Sequence, residues 1–261
     1  MAKGGKIMNY QDLFERNIGF ISKKEQKKLA QTSIGIAGLG ADGGLLAERL
    51  ARFGIGKFIL ADPEVFEPSN INRQFGANLK TLGKNKAEVI AKELKLINPK
   101  IKVTVFKNGI NDANIKEFVT NSNIVVDEIE YSKPELSVLL AQEARCQNKY
   151  LFMGANIGWG ASIFCFAPKG MSFEEYFQYN PETKEINLLR YVKKVPTYFN
   201  KKLLKGILSG KIPIPGLSSS VGLVASLLTN EIILFILKKR RSIIVPKFLY
   251  IDNLKLKLER R

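Results

Sequence analysis

Gly38-Leu39-Gly40-Ala41-Asp42-Gly43 sets three glycines at the spacing of a phosphate-binding turn. An apolar segment, Ile34 to Ala37, leads into it, and a helix-patterned one, Leu45 to Phe53, leads out. The chemistry this serves is anion capture. Gly38 permits the tight turn, Gly40 lets a phosphate approach the backbone, and Gly43 lets helix and strand pack closely. Free N–H groups at the helix start favour negative charge there. Asp62 closes the next apolar segment, Lys57 to Ala61, about 20 residues on, where an acid takes ribose hydroxyls. Just beyond come Glu64, Asn70, Arg73, Gln74 and Lys86. The glycine fingerprint alone reads as NAD binding, as in a dehydrogenase. A dinucleotide has no need of Arg73 and Lys86 at that place. A triphosphate does, because two fixed cations neutralise charge on a leaving pyrophosphate.

The elements that must position these residues read as α/β. We expect a Rossmann-like, mostly parallel sheet with helices on both faces and a smaller, partly antiparallel C-terminal extension. Ser22 and Glu25 form a capping box for the helix ahead of the first strand. Lys86 falls in the first turn of a helix from about Asn85 to Ile97. A cation is unfavourable there unless it holds an anion; the plain alternative is one solvated lysine among many. Ile124 to Glu130 reads as a buried strand running into acids, so Asp127 and Glu130 lie at a carboxyl end, where ligands of such sheets sit. The plain alternative for them is a capping or solvated pair. Strands are expected at Tyr150–Met153 and Ala161–Ala167, with Gly154 to Gly160 as a flexible turn. Residues 170–217 lack clear periodicity. Ser218 to Ser220 are expected to cap a long apolar helix, Val221 to Lys238, with Lys238 to Arg241 complementing its dipole. Phe248–Asp252 and Leu254–Leu258 read as closing strands around a turn at Asp252-Asn253, and residues 1–8 as a disordered leader.

Composition narrows the chemistry. The 261 residues contain no His, which excludes His-based triads and His metal sites. Two cysteines, Cys146 and Cys165, make neither a disulfide framework nor a zinc site. The apolar run Val221 to Leu237 includes Asn230 and Glu231 and reads as a buried core helix, with no membrane partner. The N-terminus has no apolar core of a secretory signal, and a cytoplasmic location is expected. Net charge is +17. An acidic protein, tRNA or a lysine-rich surface accounts for such charge; nucleic acid is the lesser reading, because the lysines are spread along the chain.

The run Asp62-Pro63-Glu64-Val65-Phe66-Glu67-Pro68-Ser69-Asn70-Ile71-Asn72-Arg73-Gln74-Phe75, with Gly83-Lys84-Asn85-Lys86-Ala87-Glu88 downstream, resembles the ThiF/MoeB/HesA family. These are enzymes that adenylate the C-termini of ubiquitin-like and sulfur-carrier proteins. The resemblance implies one ThiF-like adenylation domain over residues 1–261. Its parts would be an N-terminal arm and helix (1–30), a nucleotide-binding half (31–168), and a crossover loop, long helix and closing strands (169–261). It implies ATP and Mg²⁺ as cofactors, a homodimer, and a ubiquitin-like or sulfur-carrier partner, with a peptide, a small carboxylate or a tRNA-modification substrate as alternatives. It further implies ATP contacts from Gly38, Gly40, Gly43, Asp62, Glu64, Asn70 and Gln74. Charge stabilisation would come from Arg73, Lys86 and the partner's copy of Arg16, and Mg²⁺ would be held on Glu130. From the residues alone Arg16 is a solvated surface charge. This chain departs from the family pattern at Ala41, at Asp42 and at Glu130, which stands where an Asp is usual. Asp42 is expected to cap the helix or face solvent. The crossover region holds no cysteine, which implies adenylation without a thioester there. An ATP-binding scaffold without catalysis is the remaining alternative.

Overall fold

The computed structural model describes residues 9–192, 194–208 and 211–260; the leader expected at 1–8 lies outside them. An arm holds α1 (Tyr10–Leu13) and a 3-10 turn (Glu15–Asn17). Next comes α2 (Lys23–Gln31), capped by Ser22 and Glu25 as expected. The nucleotide-type unit follows as β1 (Ser33–Ala37), α3 (Ala41–Phe53) and β2 (Lys57–Ala61). Then come α4 (Lys86–Ile97), β3 (Lys102–Phe106), α5 (Ile115–Thr120), β4 (Ile124–Asp127) and α6 (Pro134–Cys146). A hairpin, β5 (Leu151–Ile157) and β6 (Gly160–Phe166), precedes α7 (Phe173–Phe177) and α8 (Lys201–Leu208). The chain ends with α9 (Ser218–Ile236), β7 (Leu249–Asp252) and β8 (Lys257–Arg260).

Among the described residues eight strands join one sheet in the order β3-β2-β1-β4-β5-β6-β7-β8. The first five are parallel, and β6, β7 and β8 add antiparallel. The period-two rule sorts the side chains. On β1 and β4, Ile34, Ile36, Ile124 and Val126 enter one core with Leu46 of α3, Ile90 of α4 and Leu228 of α9. Ala37 and Val125 enter the other, with Phe118 of α5, Leu140 of α6 and Phe177 of α7. Chain order reverses between β1 and β4, so a crevice opens at their carboxyl ends, where such sheets bind ligands.

Four expectations change. β5 runs on through Gly154 to Ile157, because Asn156 and Ala155 pair with Ala161 and Ser162; only Gly158-Trp159 turns. The serines lie inside α9, whose N-cap, Leu217, makes no side-chain cap bond. The carbonyl of Ile236 at the end of α9 accepts from Lys28 of α2, while Lys239 and Arg240 pair with Glu25 and Glu231. The β7–β8 turn spans 253–256, and its second strand starts at Lys257. Helix α9 is long and apolar enough to cross a bilayer. Here Val221, Val224, Leu228 and Ile232 are wholly buried, each burial worth about 1.5–3 kcal/mol over exposure.

Candidate active site

The glycine turn is built against the ends of β2 and β4. Gly38 takes φ +89° and lies so close to the Glu128 carbonyl that a Cβ would stand 2.1 Å from it. The Asp62 carboxylate is buried and accepts from the Leu39 N–H at 2.6 Å and the Glu64 N–H at 2.8 Å. Asp62 thus ties the turn to the end of β2 through Oδ2 and caps the following loop through Oδ1, leaving only its further lone pairs for a ribose. Burial holds its carboxyl above the usual range. Helix α3 begins at Ala41, four residues earlier than its apolar pattern indicates, and its N-cap, Gly40, supplies no side-chain acceptor. The first-turn N–H groups therefore face the crevice without a side-chain cap, which suits an anion.

Arg73 and Lys86 arrive on different supports. Asn70 is buried; its carbonyl accepts from the N–H groups of Arg73 and Gln74, and its side chain accepts from Glu67 N–H at 3.0 Å. Its visible work is to build the turn that displays Arg73. Arg73 is half-buried, and its Nη1 donates to the Ser69 carbonyl and to Asn72 Oδ1, both at 2.9 Å. Among the described residues no carboxylate forms an ion pair with it. Asn85 caps α4 by accepting from Glu88 N–H, and so places Lys86 in the first turn. Lys86 is buried, with Nζ 2.7 Å from Glu64 Oε2. That hydrogen bond holds Glu64 below the usual carboxylate range. Gln74 is buried with its Oε1 unpartnered, and its Nε2 faces the open side of Gly40.

Asp42 neither caps α3 nor faces solvent. It is buried, and its Oδ2 accepts from the backbone N–H of Asn156 at 3.2 Å and from its Nδ2 at 2.8 Å. Its Oδ1 has no partner. Glu128, whose Oε1 accepts from Gly154 N–H at 2.9 Å, shares this pocket. Burial pushes Asp42 and Asp127 up to about 6, and burial together with the charge of Asp42 pushes Glu128 well up. The folded chain therefore keeps protons here that an unfolded chain releases above about pH 4. The stability they confer is full below that pH and is lost as pH rises through the raised values. Asp42→Asn is expected to stabilise the fold by about 1–3 kcal/mol at about pH 7.5, with the gain vanishing below about pH 4. Urea melts at the two pH values check it; equal gains at both would refute the buried charge.

One expected residue, Arg16, stands apart. The arm is pinned to the carboxyl end of α3, where Tyr10 Oη donates to the Gly54 carbonyl and Asn17 Nδ2 to that of Phe53. Helix α3 has 13 residues and is about 20 Å long. Exposed Arg16 is therefore remote from its own chain's glycine turn. Glu130 is exposed on the loop beyond β4, beside Lys133, which lies 3.9 Å from Glu64. Among the described residues no group of three or more acidic or thiol side chains is placed to hold a metal. One carboxylate suits Mg²⁺ that arrives on a triphosphate and keeps waters and phosphates as its other ligands.

Family membership follows from comparison. The model of the ThiF family matches residues 14–261. The chain belongs to the ThiF family. The chain's relatives include a tRNA threonylcarbamoyladenosine dehydratase of Haemophilus influenzae, 33% identical over 141 residues, which are 52% of this chain and 54% of that one. A ubiquitin-like modifier-activating enzyme 5 of Culex quinquefasciatus is 35% identical over 102 residues, 39% of this chain and 25% of that one. The chain thus spans about half the length, or less, of the curated relatives it matches. Among solved structures, Escherichia coli MccB with ATP has TM-score 0.68 and 22% identity, covering 91% of this chain and 65% of that chain, a likeness of fold. Sequence reading missed Glu128 and Asn156; the only signal was the unusual acid at Asp42.

Proposed function

We propose that this ThiF-family chain is an ATP-dependent adenylyltransferase that activates a carboxylate as an acyl-adenylate and releases pyrophosphate. The observation that carries the reading is the α3 N-terminus without a side-chain cap, faced at Gly40 by Gln74, whose chain neighbour Arg73 makes no ion pair among the described residues. The glycine turn, with Gln74 above Gly40, accepts phosphates. The substrate carboxylate attacks the α-phosphorus, its oxygen forming the new P–O bond as the bond to pyrophosphate breaks. Arg73 and Lys86 offset the charge that builds on the departing oxygens. Mg²⁺ held through Glu130 would supply further charge neutralisation there. Position and electrostatics suffice, with no covalent step on the protein. Neither cysteine lies in residues 169–261, and Cys165 is buried with its thiol pushed up to about 12 by burial, which disfavours a thiolate nucleophile.

The chain acts as a homodimer in this reading, since Arg16 reaches phosphates only in a partner copy. Calorimetric titration with Mg-ATP, and separately with NAD, tests the nucleotide; binding of NAD alone sinks the reading. Mixing the inactive variants Arg16→Ala and Arg73→Ala is expected to restore about a quarter of wild-type pyrophosphate exchange, because a mixed dimer keeps one intact site. No recovery after subunit exchange would remove the trans arginine.

A further inference from the structure

Helix α3 carries a single acid in its first turn, Asp42, beside the N–H groups that the adenylation reading gives to phosphate. A carboxylate so placed is drawn to those same N–H groups and to the positive end of the helix dipole. A second attraction lies close by. Burial raises the Asp42 carboxyl, and the Asn156 bonds and the charge of Arg73 work against it. Among the described residues Asp42 takes neither. Its Oδ2 is engaged by Asn156, through Nδ2 at 2.8 Å and the backbone N–H at 3.2 Å, and its Oδ1 has no partner. The helix start and Arg73 are therefore both left free of the chain's own carboxylate.

The end of the sheet puts Asn156 in place. Strand β4 stops at Asp127, paired with Met153, while β5 runs on to Ile157. Beyond β4 the N–H groups of β5 serve carboxylates in place of a strand: Gly154 donates to Glu128 at 2.9 Å, and Asn156 to Asp42. Asn156 pairs with Ala161 of β6, and the hairpin tip after it is tied from other parts of the chain. Tyr198 Oη donates to the Ile157 carbonyl at 2.9 Å, Ser220 Oγ to that of Gly158, and the Asn253 N–H to that of Trp159 at 3.2 Å. A neutral amide holds a carboxylate by donating to it; a carboxylate at this place would repel Asp42, and a methyl would leave only the backbone bond.

Resting on the adenylation reading for the identity of the anion, we infer that Asn156 is a positioning residue. It holds the Asp42 carboxylate aside, so that the α3 N-terminus and Arg73 stay open to the phosphates of the nucleotide. The test is a double-mutant cycle of wild type, Asn156→Ala, Asp42→Ala and the double variant, each titrated calorimetrically with Mg-ATP and with inorganic pyrophosphate. In Asn156→Ala the released carboxylate competes from within, and affinity is expected to fall about tenfold or more, the scale of one hydrogen bond to a charged group. The number of sites per chain should stay the same, because a competitor weakens binding without destroying sites. Loss of sites at unchanged affinity would mark a merely structural role and overturn the inference. Removing the competitor should rescue binding: Asp42→Ala and the double variant are expected within about twofold of wild type, or tighter. A double variant as weak as Asn156→Ala would overturn the inference, and so would an Asp42→Ala protein that binds that weakly, since Asp42 would then serve the nucleotide itself. Asn156→Leu, which fills the amide's volume without a donor, separates this effect from that of a cavity and should weaken binding in the same way; wild-type affinity in both Asn156 variants would refute the role. The cycle reads anion binding and needs no acceptor carboxylate. A wild type that binds pyrophosphate but not Mg-ATP would sink the adenylation reading, while the pyrophosphate cycle still decides the role of Asn156. No binding of either anion by any of the four proteins would sink both.

Discussion

Arg73→Ala is expected to lower ATP–pyrophosphate exchange by about 10²–10³-fold, the usual cost of removing one donor aimed at developing charge. Fold stability should change little, because the guanidinium is half-exposed and bonds only within its own turn, to Ser69 and Asn72. Those two bonds use Nη1 and involve no carboxylate, so the cation is held in place with its charge uncompensated by an ion pair. Arg73→Lys should restore part of the loss, since it returns a point charge without the planar fork. The variant also loses the stem on which Gly216 rests. Circular dichroism and urea melts of Arg73→Ala separate that effect: an unchanged melt with lost exchange places the defect in the chemistry. Undiminished exchange would end the assignment of this crevice to adenylation.

Gly43→Ala carries the largest expected effect on the structure. A helix-interior Gly→Ala change ordinarily stabilises by about 0.5–1 kcal/mol. At Gly43 the new methyl would lie 2.0 Å from the Gly38 carbonyl oxygen and 3.1 Å from Glu128 Cβ. The first obstacle is backbone, which no rotamer change relieves, so α3 must move away from the turn. A cost of about 3 kcal/mol or more is expected, with loss of Mg-ATP binding. Gly222 in α9 is the control, because a Cβ there meets nothing within 4 Å. Gly222→Ala should be neutral or stabilising in the same urea melt. A Gly43→Ala protein as stable as wild type would show that the turn and α3 are not packed as described.

The unit from β1 to β2, the helix starting near Asn85 and its first-turn Lys86 were legible because each is a short-range arrangement. Glycine spacing, caps and side-chain periods act within a few residues, and they carry the same meaning in any fold. The same locality explains the errors. β5 was cut short at Gly154 because a glycine reads as a turn, whereas pairing with β6 keeps it extended. The three serines ahead of Val221 read as a cap, but they form the first turn of α9, where Ser220 donates to the Gly158 carbonyl.

What the sequence by itself determined was the glycine turn within its β1–α3–β2 unit, the mostly parallel α/β class and the family. What only the tertiary structure decided depends on sheet order and chain crossing. Asp42 and Asn156 are 114 residues apart and meet because β1, β4 and β5 are neighbours. The same order presses half-buried Glu128 against the glycine turn and beside buried Asp42. Arg16 lies near the glycine unit in sequence but at the far end of α3 in space, since a helix carries its two ends apart by its whole length. Local rules specify which residues can do chemistry; long-range packing specifies which of them meet.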